Sequence, residues 1–295
     1  MMNDERHASD LHVPVLPDAT LVALRPGPGM RFLDCTLGLG GHSAALLTAG
    51  ATVLGIDRDP AARRLAVERL AVHGDRFAVR GGTFADVAEE LVTTGEMFAG
   101  VLADLGVSSM QLEDANRGFS LRSESDADMR MGDGCEGSAL DLIDQLDESA
   151  LADIIYRFGE DRLSRRIARA LKRERAAGGC RSGVELADVV RRAVPGHHPR
   201  HPAGRTFQAL RIAVNDELGQ LERLLAKLPE LLQPGGIAVV ISFHSLEDRL
   251  VKNSFREGKK AGRYSDAANR VTIASEAEEE ANPRAASAKL RWARR

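Results

Sequence analysis

The chain is short of the residues that mark several large protein classes. Its three cysteines, Cys35, Cys135 and Cys180, are scattered over 295 residues. An odd number with no C-x-x-C spacing argues against a disulfide framework or a structural zinc site, so reduced thiols are expected. Aromatics make up only 4% of the residues, with one Trp and two Tyr. No run approaches the roughly 18 apolar residues of a membrane span. The opening MMNDERHASD is polar and acidic where a secretory leader is basic and then apolar. These absences lead to the expectation of a cytoplasmic protein with no membrane contact. What is present is 43% hydrophobic residues, enough for one large domain or two modest ones.

Charge of one sign is also scarce overall, at a net -3, but not locally. Between Arg157 and Arg211 there are 14 Lys and Arg against 5 acids, a local +9 that leaves -12 for the remainder. Such a block is either a solvated, arginine-rich helical surface or the footprint of a polyanion-binding face.

Nearly continuous apolar runs, 30-MRFLD-34, 52-TVLGID-57, 76-RFAVRG-81, 100-GVLAD-104 and 237-IAVVISF-243, have the pattern of strands buried on both faces. The stretches between them read as crossover helices, such as 60-PAARRLAVERLAVHG-74 with Pro60 in its first turn and Gly74 at its end. This alternation predicts an α/β fold with a doubly wound, mostly parallel sheet.

After Asp104 the rhythm breaks. A polar loop over 106–134 is too long for an idle connection. Helical faces follow, marked by Leu151, Ile154, Ile155 and Phe158, then by Leu163, Ile167, Ala170 and Leu171. A capping-box pair, Ser182 with Glu185, opens a third helix. A long amphipathic stretch over 206–228 and the turn 234-PGG-236 lead back to the sheet. We therefore read a helical insertion over 114–214 inside an α/β domain formed by 1–113 and 215–295, with most of the basic block on the insertion. The polar tail over 257–288 is expected to be mobile, with 289-KLRWA-293 returning as a last strand.

The segment 32-FLDCTLGLGGHS-43 places a glycine turn between the first strand and a helix expected to begin at His42 and Ser43. It lacks the lysine of a triphosphate-binding loop, and the third small residue of a dinucleotide fingerprint falls on Ser43, an imperfect match. Asp57 ends the second strand 19 residues after Gly38, where a carboxylate accepts hydrogen bonds from ribose hydroxyls. Asp34, just before the glycines, disfavours a pyrophosphate and suits a cationic ligand such as S-adenosylmethionine. Asp104 ends the fourth strand at the edge of the same cleft, where a carboxylate can hydrogen-bond an amine awaiting methylation or serve as a helix cap.

These motifs are similar to those of the bacterial ribosomal RNA small-subunit methyltransferase H family. The resemblance is carried in family order by 12-HVPVL-16, 34-DCTLGLGGHS-43, 56-IDRDP-60, 104-DLGVSSMQLEDANRGFSLR-122, 128-DMRM-131, 205-RTFQALRIAVNDEL-218, 241-ISFHSLEDR-249 and 282-NPRAASAKLR-291. The chain departs from the family at Leu39 and Gly204, neither of which touches a key group, and at Ala286, where the family's tail arginine is lost, which bears on tail contacts with RNA. The resemblance implies a Rossmann-like class I methyltransferase domain with a helical, RNA-gripping insertion. It also implies S-adenosylmethionine as cofactor and methylation of the N4 amino group of a cytidine in the decoding centre of 16S ribosomal RNA. The cofactor contacts it implies are Gly40, Gly41, His42, Asp57, Phe84, Asp104 and Gln111, with Asp104 as the candidate catalytic residue.

Other constellations are weaker. His197, His198 and His201 lie in a proline-rigid, arginine-rich loop with no carboxylate or cysteine close in sequence, which favours RNA contact or solvent exposure over a metal. His244 and Asp248 suggest a dyad, while Ser245 with Asp248 has the spacing of a helix cap. No cysteine sits in a convincing nucleophile motif, which fits methylation at nitrogen and not at pyrimidine carbon 5. The competing readings are a non-catalytic RNA-binding assembly factor, which predicts a degraded cofactor turn, and an NAD-dependent oxidoreductase, which predicts a cleaner glycine fingerprint. Whether the chain is a monomer or a homodimer is left open.

Overall fold

The computed structural model describes residues 14–196, 198–199 and 201–295. The N-terminal segment through Val13, His197 and Arg200 lie outside the described residues. The chain begins α1 (Pro17–Leu24), β1 (Arg31–Asp34), α2 (Gly41–Thr48), β2 (Thr52–Asp57), α3 (Pro60–Leu70), β3 (Phe77–Gly81), α4 (Phe84–Thr93) and β4 (Phe98–Asp104). Six helices follow: α5 (Ser109–Glu113), α6 (Ala139–Gln145), α7 (Glu148–Gly159), α8 (Ser164–Ala176), α9 (Gly183–Ala193) and α10 (Ala203–Asn215). The chain closes with α11 (Glu217–Leu231), β5 (Leu232–Ser242), α12 (Ser245–Lys260), β6 (Asp266–Ala267), α13 (Glu276–Ala281) and β7 (Lys289–Arg294).

The strands form one seven-stranded sheet in the order β3-β2-β1-β4-β5-β7-β6, parallel except for β7, which runs antiparallel to both β5 and β6. Burial alternates with period two. Phe32, Val53, Leu102 and Val239 pack on one face with Leu46 and Leu47 of α2 and Leu70 of α3. Leu33, Leu54, Val101 and Val240 pack on the other with Leu91 of α4, Leu224 of α11 and Phe255 of α12. Burial on both faces explains the unbroken apolar runs. Because β1 has β2 on one side and β4 on the other, the strand order reverses at the pair β1 and β4. The carboxyl ends of these two strands open the crevice where doubly wound folds bind ligands.

Several boundaries depart from the sequence reading for local reasons. Asp59 caps α3 by accepting the Ala61 N–H at 3.0 Å, but α3 stops at Leu70 and a tighter turn spans Ala71–Arg76, where Gly74 takes a φ of 55°. The amphipathic stretch over 206–228 is not one helix: Asp216, at φ 48°, separates α10 from α11. A short acidic side chain tolerates this left-handed conformation better than most.

By internal packing the chain divides into two units, one running through Gly106 and resuming from Leu218 to Arg295, the other Val107–Glu217. The second unit has its own core, in which Leu151 and Ile155 of α7, Ile167 and Leu171 of α8, Val190 of α9 and Leu210 of α10 are buried. Asn215 fastens its long polar loop, accepting the Met131 N–H at 2.8 Å and donating to the Met129 carbonyl at 2.8 Å.

The tail expected to be mobile is instead built into the sheet unit. Tyr264 is 2% exposed and meets Phe255 edge-on, with ring centroids 5.6 Å apart. Glu278 accepts the Leu16 N–H at 2.6 Å, and Ala285 and Ala288 are buried. Small apolar residues and backbone pairing at β6 and β7 do the anchoring, which a low aromatic content conceals. Among the described residues no helix is long and apolar enough to cross a membrane.

Candidate active site at the strand ends

The glycine turn follows β1 directly. Gly38 and Gly40 have φ of 51° and 76°, and Gly40 is the residue before α2, which starts at Gly41, one residue earlier than expected. A Cβ on Gly40 would lie 2.8 Å from Leu70 Cδ1, and one on Gly41 would lie 3.2 Å from Pro14 Cδ. These two glycines thus let the turn pack against its own neighbours, whereas a Cβ on Gly38 would meet nothing within 4 Å. Asp57 at the end of β2 holds the turn: one carboxylate oxygen accepts the Gly38 N–H at 2.7 Å and the other the Asp59 N–H at 2.8 Å. Burial pushes the Asp57 carboxyl up to about 6, against the opposing pull of these backbone donors.

Asp34 is buried at the end of β1 and accepts the Ser43 hydroxyl at 2.6 Å and the Thr36 N–H at 3.2 Å. Burial raises its pKa, and the Ser43 hydrogen bond only partly offsets this. Asp104, at the end of β4, is aligned by its own backbone, whose N–H donates to Thr36 Oγ1 at 2.6 Å. Its Oδ2 lies 3.5 Å from Nε2 of His42, an ion-pair approach longer than a good hydrogen bond. Its Oδ1 is buried with no hydrogen-bond partner. Burial opposes a charge on His42, but Asp104, then Asp34 and a hydrogen bond with the Val15 backbone, outweigh it and raise the imidazole pKa. The result is a pair of acids, Asp34 and Asp104, acting on one histidine, with one carboxylate oxygen left over for a ligand. Such a site attracts positive charge and hydrogen-bond donors.

Phe84 opens α4 after β3 and is half-buried against the core. Gln111 belongs to the second unit, where it completes the capping box of α5 with Ser108 and donates from Nε2 to the Met131 carbonyl at 3.0 Å.

The dyad suggested for His244 and Asp248 does not form. Asp248 binds Arg291 of β7 at 2.7 Å, and His244 caps α12 by accepting the Glu247 N–H at 3.4 Å. The capping box is therefore His244 with Glu247, not Ser245 with Asp248, because the helix begins one residue earlier than that spacing required. His201 accepts the Ala203 N–H at 3.2 Å at the start of α10, and His198 lies 3.1 Å from the Pro195 carbonyl. None of the three cysteines forms a disulfide. Burial raises the Cys35 thiol far above its usual range and pushes Cys180 up to about 12, so neither is a ready nucleophile. Thr36 was not singled out from the sequence, Ser43 only as a helix-start and fingerprint position, and Val15 only as part of a quoted segment, none of them with a role toward the acids. For Thr36 and Ser43 the signal is position, two residues after Asp34 and two after Gly41; the Val15 backbone contact has no local signal.

Fold and site together define a class I methyltransferase: a doubly wound sheet with an antiparallel strand inserted beside β5, a glycine turn after β1 and acids ending β1, β2 and β4. The chain matches the MraW methylase family over residues 9–295. It is 50% identical over 293 residues to ribosomal RNA small subunit methyltransferase H of Synechococcus sp. (strain CC9605), covering 96% of this chain and 97% of the relative. It is 48% identical over 297 residues to the protein of the same name from Sorangium cellulosum (strain So ce56), covering 98% and 92%. A third such relative, from Deinococcus radiodurans, is 49% identical over 282 residues, covering 95% and 88%. The chain belongs to the MraW methylase family, a family of S-adenosylmethionine-dependent methyltransferases.

Proposed function

We propose that the protein methylates the N4 amino group of a cytidine in the decoding centre of 16S ribosomal RNA, with the small ribosomal subunit as its substrate and S-adenosylmethionine as the methyl donor. The observation that carries this reading is the buried, unpartnered Oδ1 of Asp104 beside a cluster of acids at the switch point of the sheet. The name shared by the relatives, ribosomal RNA small subunit methyltransferase H, supports the RNA class.

The residues present suit the cofactor. Its ribose hydroxyls would meet Asp57, its adenine Phe84, and its cationic end the acids beside His42, with Gly40 and Gly41 completing the contacts. When bound it supplies an electrophilic methyl group on a sulfonium. The protein's own task is then orientation. Oδ1 of Asp104 accepts a hydrogen bond from the cytosine N4–H, which turns the nitrogen lone pair away from the ring and toward the methyl. Thr36 holds the Asp104 backbone, and His42, anchored on the Val15 backbone, places Nε2 3.5 Å from its second oxygen. Effective-molarity arguments put such positioning at up to about 7–11 kcal/mol. Attack by nitrogen needs no covalent enzyme intermediate, consistent with the inert buried thiols, and the proton that N4 sheds on methylation passes to Asp104 Oδ1 and then to water.

The test is nucleoside mass spectrometry of 16S ribosomal RNA from a strain lacking the gene, complemented with wild type or with Asp104→Asn. Loss of N4-methylcytidine on deletion, restoration by wild type and at least a hundredfold lower in vitro rate for Asp104→Asn are expected. N4-methylcytidine that persists unchanged in the deletion strain would leave a non-catalytic assembly factor as the better reading.

A further inference from the structure

The basic block separates into two populations. From Arg169 onward its arginines are mostly tied to carboxylates of the same unit: Arg169 to Glu148 at 3.1 Å, Arg175 to Asp144, Arg181 to Asp126 at 2.7 Å, Arg191 and Arg192 to Asp188 at 2.5 and 3.0 Å, and Arg211 to Glu217 at 2.8 Å. At the corner where α7 turns into α8 the pattern stops. Arg157, Arg162, Arg165, Arg166 and Arg205 are exposed, and among the described residues none of them pairs with a carboxylate. Arg157 lies over the Phe158 ring, 5.5 Å from its centroid. Arg205, at the start of α10, donates to the Glu160 carbonyl at 3.3 Å, which brings α10 to the same corner.

Fold stability does not account for this placement. Arg162, Arg165 and Arg166 surround the first turn of α8, where the helix dipole disfavours positive charge; that turn carries no acid of its own, and Asp161 just before it accepts the Leu163 N–H at 2.8 Å and pairs with none of the three. The corner also displays Tyr156, 59% exposed, in a chain with only two tyrosines. An exposed aromatic ring among unpaired guanidinium groups matches single-stranded nucleic acid, with phosphates on the arginines and a base on the ring. An anionic membrane would use the charges but would not call for the ring.

We propose that Tyr156, Arg157, Arg162, Arg165, Arg166 and Arg205 form a docking surface for a single-stranded segment of RNA, while the paired arginines of α8 and α9 are structural. The proposal deepens the RNA-methyltransferase reading and rests on it for the identity of the RNA. The test uses the full chain, a 12-nucleotide single-stranded RNA and, separately, small ribosomal subunits from the deletion strain, with affinity measured across a range of salt. Each lost phosphate contact reduces the log-log salt slope by about 0.7 on single strands, so Arg162→Gln/Arg165→Gln/Arg166→Gln is expected to flatten it by about 2. Arg191→Gln, which removes a paired arginine, is expected to leave the slope unchanged. Tyr156→Ala is expected to weaken binding about tenfold at an unaltered slope.

Binding of S-adenosylhomocysteine and an unchanged melting temperature confirm that each variant is folded; if the triple variant fails this control, Arg165→Gln alone is expected to reduce the slope by about 0.7. A folded variant with the wild-type salt slope overturns the proposal, as does loss of binding to phosphatidylserine vesicles with RNA binding intact. A wild type that binds RNA through this surface but methylates none would refute the enzymatic reading and leave the surface standing.

Discussion

Asp57 is both a structural acceptor for the glycine turn and the proposed ribose contact, and its burial couples the two roles to pH. Its folded carboxyl titrates near 6 against an ordinary 3.8. The folded state therefore holds the proton more tightly than the unfolded chain, and the contribution of Asp57 to stability falls as pH rises between those values. Ligand binding through the ionised carboxylate changes in the opposite sense and is lost as pH falls below about 6. Calorimetry with S-adenosylhomocysteine is expected to show affinity about tenfold weaker at pH 5 than at pH 7, and Asp57→Asn is expected to flatten that profile. An equally steep profile in the variant would move the titration to another group, with Asp34 the next candidate. Gly40 offers a purely steric prediction. At φ 76°, with a Cβ due 2.8 Å from Leu70, Gly40→Ala is expected to lower stability by about 2 kcal/mol or more in urea unfolding.

At the scale of elements, α12 owes its start to a buried carboxylate. Glu247 is 2% exposed and accepts the Phe243 and His244 N–H groups at 2.9 and 3.3 Å. Glu247→Ala leaves both donors without this acceptor and is expected to cost about 1–3 kcal/mol, while Glu247→Gln, which keeps a carbonyl oxygen, costs less. The chemical denaturation midpoint checks the order. This element also shows what sequence can carry. The apolar run over 52–57 and the Ser182–Glu185 cap were legible because each depends on neighbours within a few residues. The α12 cap was displaced by one position because two overlapping residue pairs have the same spacing. Strand β6, two residues long, exists only through its pairing with β7, a contact no local pattern announces. The site divides the same way. Asp34, Asp57 and Asp104 could be found as acids ending apolar runs, but the hydrogen bond from the Asp104 N–H to Thr36 joins residues 68 apart. It follows from the parallel register of β1 and β4, which the sequence does not spell out.

For the whole molecule, the consequence of the insertion is a second folding unit. Val107–Glu217 encloses a core of its own, and its loop is fastened from inside by Asn215 and by the Ala127 N–H, which donates to the Arg181 carbonyl at 2.8 Å. Half-buried charges also find partners inside it, Arg211 with Glu217 at 2.8 Å and Lys172 with the Ile143 carbonyl at 2.9 Å. A chain segment with a hydrophobic core of its own meets the main requirement for autonomous folding. Expressed alone, residues 107–217 are expected to show helical circular dichroism and a single cooperative melt, with a heat-capacity change of about 1.3–1.7 kcal/mol/K for a segment of this size. Asn215→Ala in this fragment removes the acceptor of the Met131 N–H and the donor to Met129, and is expected to lower its stability by about 2–4 kcal/mol. A fragment that stays unfolded, or a variant that melts with the wild type, would show that the insertion depends on the sheet unit for its core.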